Sequence, residues 1–368
     1  MLIDSMGIIL ADNGRVKLGE LSDERALAAT PFGGRYRIID FMLSSMVNSG
    51  IKHVGILAET KYSSLMDHLG TGSHWDLDRL QQGLRIIPPY MQSDFFRSPN
   101  PQDLNGLYDF LKHSVHLHVV VAESNLVSNI NFAKFVKEHE DSGADVTVMY
   151  NHDADSLGSP NVSLTFEDNK LVDLRIDPLN PTSDCSSLGC VVLTRTLLMD
   201  LLAQAISRGE SLFNTEFILE KYKELTIRGF ENNDLTLRIN SLATYFSASM
   251  RLLEKGVLQK LYKSENRIFT KVKNEAPARY PKGNHVANSL ISDGCNVVGQ
   301  VENSVIFRGV SIGKHSKISN CIIMQDTVIR DGAELKNVII DKDSVIRSGV
   351  RLQGSPDYPV VIRKGVIV

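Results

Sequence analysis

The chain has 368 residues, enough for two domains with substantial cores. Its 42% hydrophobic and 23% charged content is that of an ordinary globular protein. A net charge of −3 gives no electrostatic reason to expect nucleic acid or an anionic membrane as a partner, and no apolar run approaches the roughly 18 residues of a membrane span.

Residues 1–245 alternate short apolar runs with helical patterns. The opening Met1-Leu2-Ile3-Asp4-Ser5 has neither a basic nor an apolar leader region, so no secretory signal is expected. Runs at 8–10, 54–58, 119–122, 146–150 and 190–193 read as largely buried strands. Periodic segments at 41–49, 109–114, 132–142 and 195–207 read as helices between them. This spacing predicts a Rossmann-like α/β domain, with a mostly parallel sheet covered by helices on both faces. A ligand then belongs at the carboxyl ends of the strands, where the loop Ala11-Asp12-Asn13-Gly14-Arg15-Val16-Lys17 lies. Residues 93–101 read as an exposed loop. Residues 246–284 read as a link, with a helix at 249–264 and a charged, Pro-bearing connector at 274–284. Four cysteines without Cys-x-x-Cys spacing suggest a reducing cytoplasm rather than a disulfide framework.

From 285 to 368 the rhythm changes. Ile306, Ile312 and Ile318 are six residues apart, and the set recurs seventeen residues later as Ile323, Ile329, Leu335 and again as Ile340, Ile346, Leu352. Asn303, Asn320 and Asn337 keep the same offset. Neither a helix nor a flat sheet has this period. A triangular parallel β-helix does, with one inward aliphatic per strand and asparagine at a corner. A shorter coil is expected to begin near Leu290-Ile291. The array reads chiefly as structure. Hexapeptide-repeat acyltransferases use such coils with a histidine base, but only His285 and His315 lie here.

The segment Pro31-Phe32-Gly33-Gly34-Arg35-Tyr36-Arg37-Ile38-Ile39-Asp40-Phe41, following the strand and loop at 6–18, resembles the signature of the ADP-glucose pyrophosphorylase family. The resemblance covers essentially the whole chain and implies a nucleotidyltransferase domain followed by a left-handed β-helix. Family members join ATP to glucose 1-phosphate. That chemistry aligns anionic partners and neutralises phosphoryl charge with a glycine loop, Mg²⁺-binding carboxylates and cationic side chains.

Position by position, the resemblance implies that these parts have been replaced. The family loop reads Gly-Gly-x-Gly-Thr-Arg-Leu; here Asp12 and Asn13 take the paired glycines, Arg15 the third, and Lys17 the arginine. Leu27 replaces the lysine of an Arg-Ala-Lys-Pro run. Ser124, with Glu123 beside it, takes the first metal aspartate, and Ala248 in Tyr245-Phe246-Ser247-Ala248 the second. Asp177-Pro178 stands where Glu-Lys-Pro reaches the sugar phosphate, and Asp103-Leu104-Asn105-Gly106 departs from Gly-Thr-Ala-Asp. No catalytic or metal-binding residue is therefore expected in this chain, with Mg²⁺ needed only by a catalytic partner.

Other residues carry weaker readings. Ser187 and Gly189 resemble a sugar-contacting turn, or are a plain turn. Arg35 sits where bacterial members carry an effector-binding lysine. With Arg37 it is a candidate for a phosphorylated effector, or for a simple salt bridge. His113, His116 and His118 read as packed or solvated side chains more than as metal ligands. The loop around Trp75 and the coil edges are candidate subunit contacts. The leading expectation is an inactive regulatory subunit in a hetero-tetramer with a catalytic paralogue. An active enzyme built on Glu123 and Lys17, and a non-catalytic sugar-phosphate sensor, are the alternatives.

Overall fold

A computed structural model describes residues 4–12, 16–59, 61–88, 103–152, 162–178, 185–210, 213–282 and 284–368. Asn13, Arg15 and the 93–101 segment lie outside the described residues.

The first domain is built on a nine-stranded sheet. Its strands are β1 (Ser5–Leu10), β2 (His53–Leu57), β3 (Gly83–Ile87), β4 (His118–Glu123), β5 (Val146–Asn151), β6 (Val162–Glu167), β7 (Lys170–Ile176), β8 (Ser186–Thr194) and β9 (Ile227–Glu231). They lie in the order β3-β2-β1-β4-β8-β5-β9-β7-β6. Helices are α1 (Ile38–Asn48), α2 (Ser63–Leu69), α3 (Leu104–Lys112), α4 (Phe132–Ser142), α5 (Arg195–Ser207), α6 (Thr215–Leu219), α7 (Leu242–Arg251) and α8 (Val257–Leu261). Successive strand residues point to opposite faces, so in β4 Val120 and Ala122 join one core while Val119 and Val121 join the other. Helices α1, α2 and α4 cover the first face, and α3, α5 and α6 the second. Apolar residues on both faces are why the strands read as unbroken hydrophobic runs.

The sheet is mixed rather than mostly parallel. Strands β3, β2, β1 and β4 are parallel neighbours, as are β5 and β9. Strand β8 runs antiparallel to both β4 and β5, and β7 antiparallel to β9 and β6. The cause is local. Asp168 and Asn169 have φ of 47° and 60°, the two left-handed residues of a tight hairpin. They fold β6 directly onto β7, and among the described residues between β5 and β8 there is no crossover helix.

The link is not one helix: Gly256, with φ of 86°, separates α7 from α8, and α7 spans residue 245. Beyond it lie three parallel sheets of five, five and four short strands, the faces of a three-sided parallel coil. Register follows the sequence pattern: Ile312 pairs with Ile329 and that with Ile346, and Ile318 with Leu335 and that with Leu352. Asn303, Asn320 and Asn337 adopt φ of 46°, 52° and 52°, the left-handed corners their side chains tolerate. The first coil is the shorter one expected, with Leu290 paired to Val305, and starts at His285. On one sheet both faces are apolar: Ile306, Ile323 and Ile340 point into the coil, whereas Val305, Ile322 and Ile339 pack with Phe32, Phe41 and Tyr245 of the first domain. That second face docks the two domains.

Candidate functional site

Four of the sequence-picked positions, Glu123, Ser124, Ser187 and Gly189, converge at the carboxyl ends of β1 and β4 and the amino end of the antiparallel β8. Glu123 ends β4 and is 1% exposed. Thr215 Oγ1 at the start of α6 donates to its Oε1 at 2.6 Å. Arg238 Nη2 lies 3.7 Å from its Oε2, and the guanidinium also donates to the carbonyl of Ser187. Gly189 N donates to Ser187 Oγ at 3.2 Å, where β8 bulges between Ser187 and Cys190. At Gly189 φ is +63°, and a β-carbon there would lie 2.7 Å from Glu123 Cδ. Only glycine fits, because the carboxylate occupies the space. Beside it Ser124 Oγ donates to the carbonyl of Ala11 at 3.1 Å, tying β4 to the loop after β1.

The residue that faces Glu123 is Arg238, not Ala248. Arg238 ends a short strand (Thr236–Arg238) paired with Leu126–Ser128. Ala248 lies ten residues on, in the middle of α7, packed in the interface with the β-helix. Matching Tyr245-Phe246-Ser247-Ala248 to the family motif puts Ala248 in the place of the second metal aspartate, whereas in the fold that segment is helical and Arg238 holds the position opposite Glu123. The useful signal was the arginine itself, a charged residue in the apolar run Leu235–Ile239.

This cluster does not fit a divalent cation. Both carboxylate oxygens of Glu123 are engaged, one by a guanidinium, and a hard cation needs several oxygen ligands. Ser124 offers a hydroxyl where a carboxylate is wanted, and no group of three or more His, Cys, Asp and Glu side chains among the described residues could hold a metal.

At the mouth, Asp12 turns inward. Its Oδ1 accepts from the backbone N–H of Leu27 at 2.9 Å. Burial, opposed by that hydrogen bond and reinforced by nearby Glu59, pushes its carboxyl up to about 6. A carboxylate thus takes a backbone donor beside the loop that nucleotide phosphates would need. Leu27 itself is buried. Lys17 is exposed, held by a backbone bridge to Ser241, and makes no ion pair among the described residues. Asp177 follows β7 with φ of 48°. Asp103 instead caps α3, its Oδ1 accepting from Gly106 N at 2.9 Å.

Arg35 and Arg37 belong to a second, cationic cleft of roughly 320 Å³ between the two domains. The hairpin Pro31–Arg37 carries both. Gly34, with φ of +82°, lets it touch Leu290 and Ser292 of the first coil, both 2.5 Å from where a β-carbon would stand. Arg35 is exposed and makes no ion pair among the described residues. Arg37 donates to the carbonyl and hydroxyl of Ser64 at 2.5 and 2.8 Å. Lys271, Lys273, Arg308, Lys342 and Lys364 complete a wall that outnumbers its acids, Asp67, Asp326 and Asp343. Arg308 is 5% exposed and its Nε has no partner among the described residues. Burial, with Arg37 and Arg25 nearby, lowers the Lys342 ammonium to about 7.

The remaining candidates separate. His113 bonds the Asp109 carbonyl, His116 lies 3.1 Å from Asp4, and His118 3.3 Å from Glu140, so the three do not converge. Trp75 itself is 1% exposed and packs edge-on to His68 in the core, while Asp76, Asp78, Arg79 and Leu80 beside it are exposed. All four cysteines are free thiols. No helix among the described residues is long and apolar enough to cross a membrane.

Comparison with known proteins agrees with this architecture. Residues 6–223 match the nucleotidyl transferase family, and residues 275–356 a GlmU-like C-terminal hexapeptide region. The chain is 34% identical to the glycogen biosynthesis protein GlgD of Bacillus subtilis (strain 168), over 98% of its own length and 96% of that protein. It is 38% identical to the GlgD of Geobacillus stearothermophilus over the same shares. The glucose-1-phosphate adenylyltransferase of Thermotoga maritima is 32% identical over 84% of this chain and 75% of its own. The chain therefore belongs to the nucleotidyl transferase family, within the glycogen-related group of GlgD proteins and glucose-1-phosphate adenylyltransferases.

Proposed function

We propose that this chain is a catalytically inactive, regulatory subunit of ADP-glucose pyrophosphorylase, acting in the cytoplasm on a catalytic paralogue within a hetero-tetramer. The observation that carries the reading is the buried Glu123–Arg238 pair at the catalytic face. A guanidinium stands against the carboxylate best placed to bind Mg²⁺, and Asp12 opposes a triphosphate at the entrance. Loss of one preorganised charge-stabilising group costs roughly a hundred- to a thousand-fold in rate, and several are missing here. ATP and Mg²⁺ then belong to the partner. The regulatory effect is a bias on the partner's conformations, which requires contacts that differ between its two states. The outer coils of the β-helix are the contacts we assign to that role. We take the coil to be left-handed, a reading supported by the hexapeptide match.

The test measures pyrophosphate release from ATP, glucose 1-phosphate and Mg²⁺, first with the purified chain and then with its catalytic paralogue added. We expect no turnover alone and altered kcat or KM for the pair. Robust turnover by the chain alone would refute the proposal. The cationic cleft supports one addition, that a phosphorylated metabolite acts through Arg35, Arg37 and Arg308. If Arg35→Ala leaves the assembled enzyme's response to sugar phosphates unchanged, the addition fails.

A further inference from the structure

We propose that the cleft between α7 and the asparagine corner of the β-helix is a binding site for a neutral carbohydrate chain. It is larger than the cationic cleft, roughly 760 Å³, within the range of small-ligand sites. Its chemistry differs from that of the cationic cleft. Arg238 is already paired with Glu123, and Arg251 is outnumbered by Glu254 and Asp357, so the lining offers an anionic ligand no free positive charge.

One wall is a ladder of amides: Asn288, Asn303, Asn320 and Asn337, one per coil. Successive coils pair as parallel strands, which sets neighbouring amides about 4.8 Å apart. A primary amide carries a donor and an acceptor side by side, the complement of a vicinal diol. A repeated diol-binding unit matches an oligomer of sugars better than a single ring. The opposite wall, α7, supplies apolar surface from Phe246 and Met250 beside the hydroxyls of Thr244 and Ser247.

The left-handed backbone accounts for asparagine at the corner, but not for the state of its side chains. Asn288 Nδ2 donates to Asn303 Oδ1 at 2.7 Å, and Asn337 Nδ2 to the Gly354 carbonyl at 3.0 Å. Asn337 Oδ1 is left without a partner among the described residues, on a residue 4% exposed. An unsatisfied buried acceptor on the wall of a cleft is a place for a hydroxyl donor.

The inference does not depend on the subunit's regulatory role, and its test uses no turnover. Calorimetry of the full chain with maltotetraose, and separately with cellotetraose, reads binding directly. Two variants leave the core alone. Asn320→Gly keeps the left-handed corner while deleting one amide, and Ser247→Trp fills the cleft from an exposed position on α7. We expect one of the two sugars to bind and each variant to weaken it about tenfold, with unchanged melting temperature. No binding of either sugar up to about 10 mM, or binding indifferent to both variants, overturns the proposal.

Discussion

Asp12 shows how a single side chain records what the catalytic face has become. Its carboxyl, raised to about 6, holds a proton in the folded chain at a pH where the unfolded chain has released it. Stability is therefore highest below about pH 4 as far as this group is concerned, and falls as pH rises toward 6. Asp12→Asn keeps an acceptor for the Leu27 N–H and removes the buried charge. The variant should be about 1–2 kcal/mol more stable than the parent at pH 7.5 and nearly equal at pH 4, measured by urea unfolding. Equal stabilities at both pH values would show that the carboxylate is not desolvated. Arg238 makes the complementary case. Arg238→Met strands Glu123 as a buried charge and should cost about 3–5 kcal/mol, most of it recovered on adding Glu123→Gln. A single variant as stable as the parent would mean the pair is not buried as described. The sequence reading found Glu123 but not its partner, because the two are 115 positions apart and nothing local in Leu235–Ile239 names a neighbour. Ala248 does not face Glu123 for the related reason that a short aromatic motif can be matched in more than one register.

Among elements, the coils were the most legible. A seventeen-residue offset repeated across nine aliphatic positions leaves only one geometry that stacks them, and the observed register pairs each with its expected neighbour. The corner asparagines give a direct check. Asn303→Ala, at φ of 46°, should lose about 1–2 kcal/mol, while Asn303→Gly should lose clearly less. A thermal melt in which alanine equals glycine would show that the corner is not left-handed. Helices α4 and α5 were read to the residue, since Asn131 and Thr194 cap them by accepting backbone N–H groups. The hairpin of β6 and β7 was missed. Its Asp-Asn turn lacks the glycine that usually announces such a fold-back, and its strands alternate partly exposed residues.

Across the whole molecule the two domains are fastened by a buried, bidentate pair, Arg25 to Asp341 at 2.8 and 3.0 Å, 316 residues apart in the chain. This same seam builds the cationic cleft from the Pro31–Arg37 hairpin, α2, the connector and the coil corners. Lys342, lowered to about 7, faces Arg37, Arg25 and Lys273 as well as Asp341. It loses its proton as pH rises through 7, so the cleft becomes less positive. Sulfate, whose charge is constant here, should bind several-fold more weakly at pH 8 than at pH 6. Lys342→Met should flatten that dependence, read by calorimetry on the full chain. A parent profile flat with pH would contradict the assignment.

By itself the sequence determined the two-domain order, the buried strands, the coil and the loss of the glycine loop. Each of these is written in local periodicity or in residue type at one position. Tertiary structure alone decided the direction of β8, the partner of Glu123, the docking face of the coil and the cleft around Arg35. Those depend on which distant segments meet, and a buried charge or a two-sided apolar strand acquires its meaning only from what lies across from it.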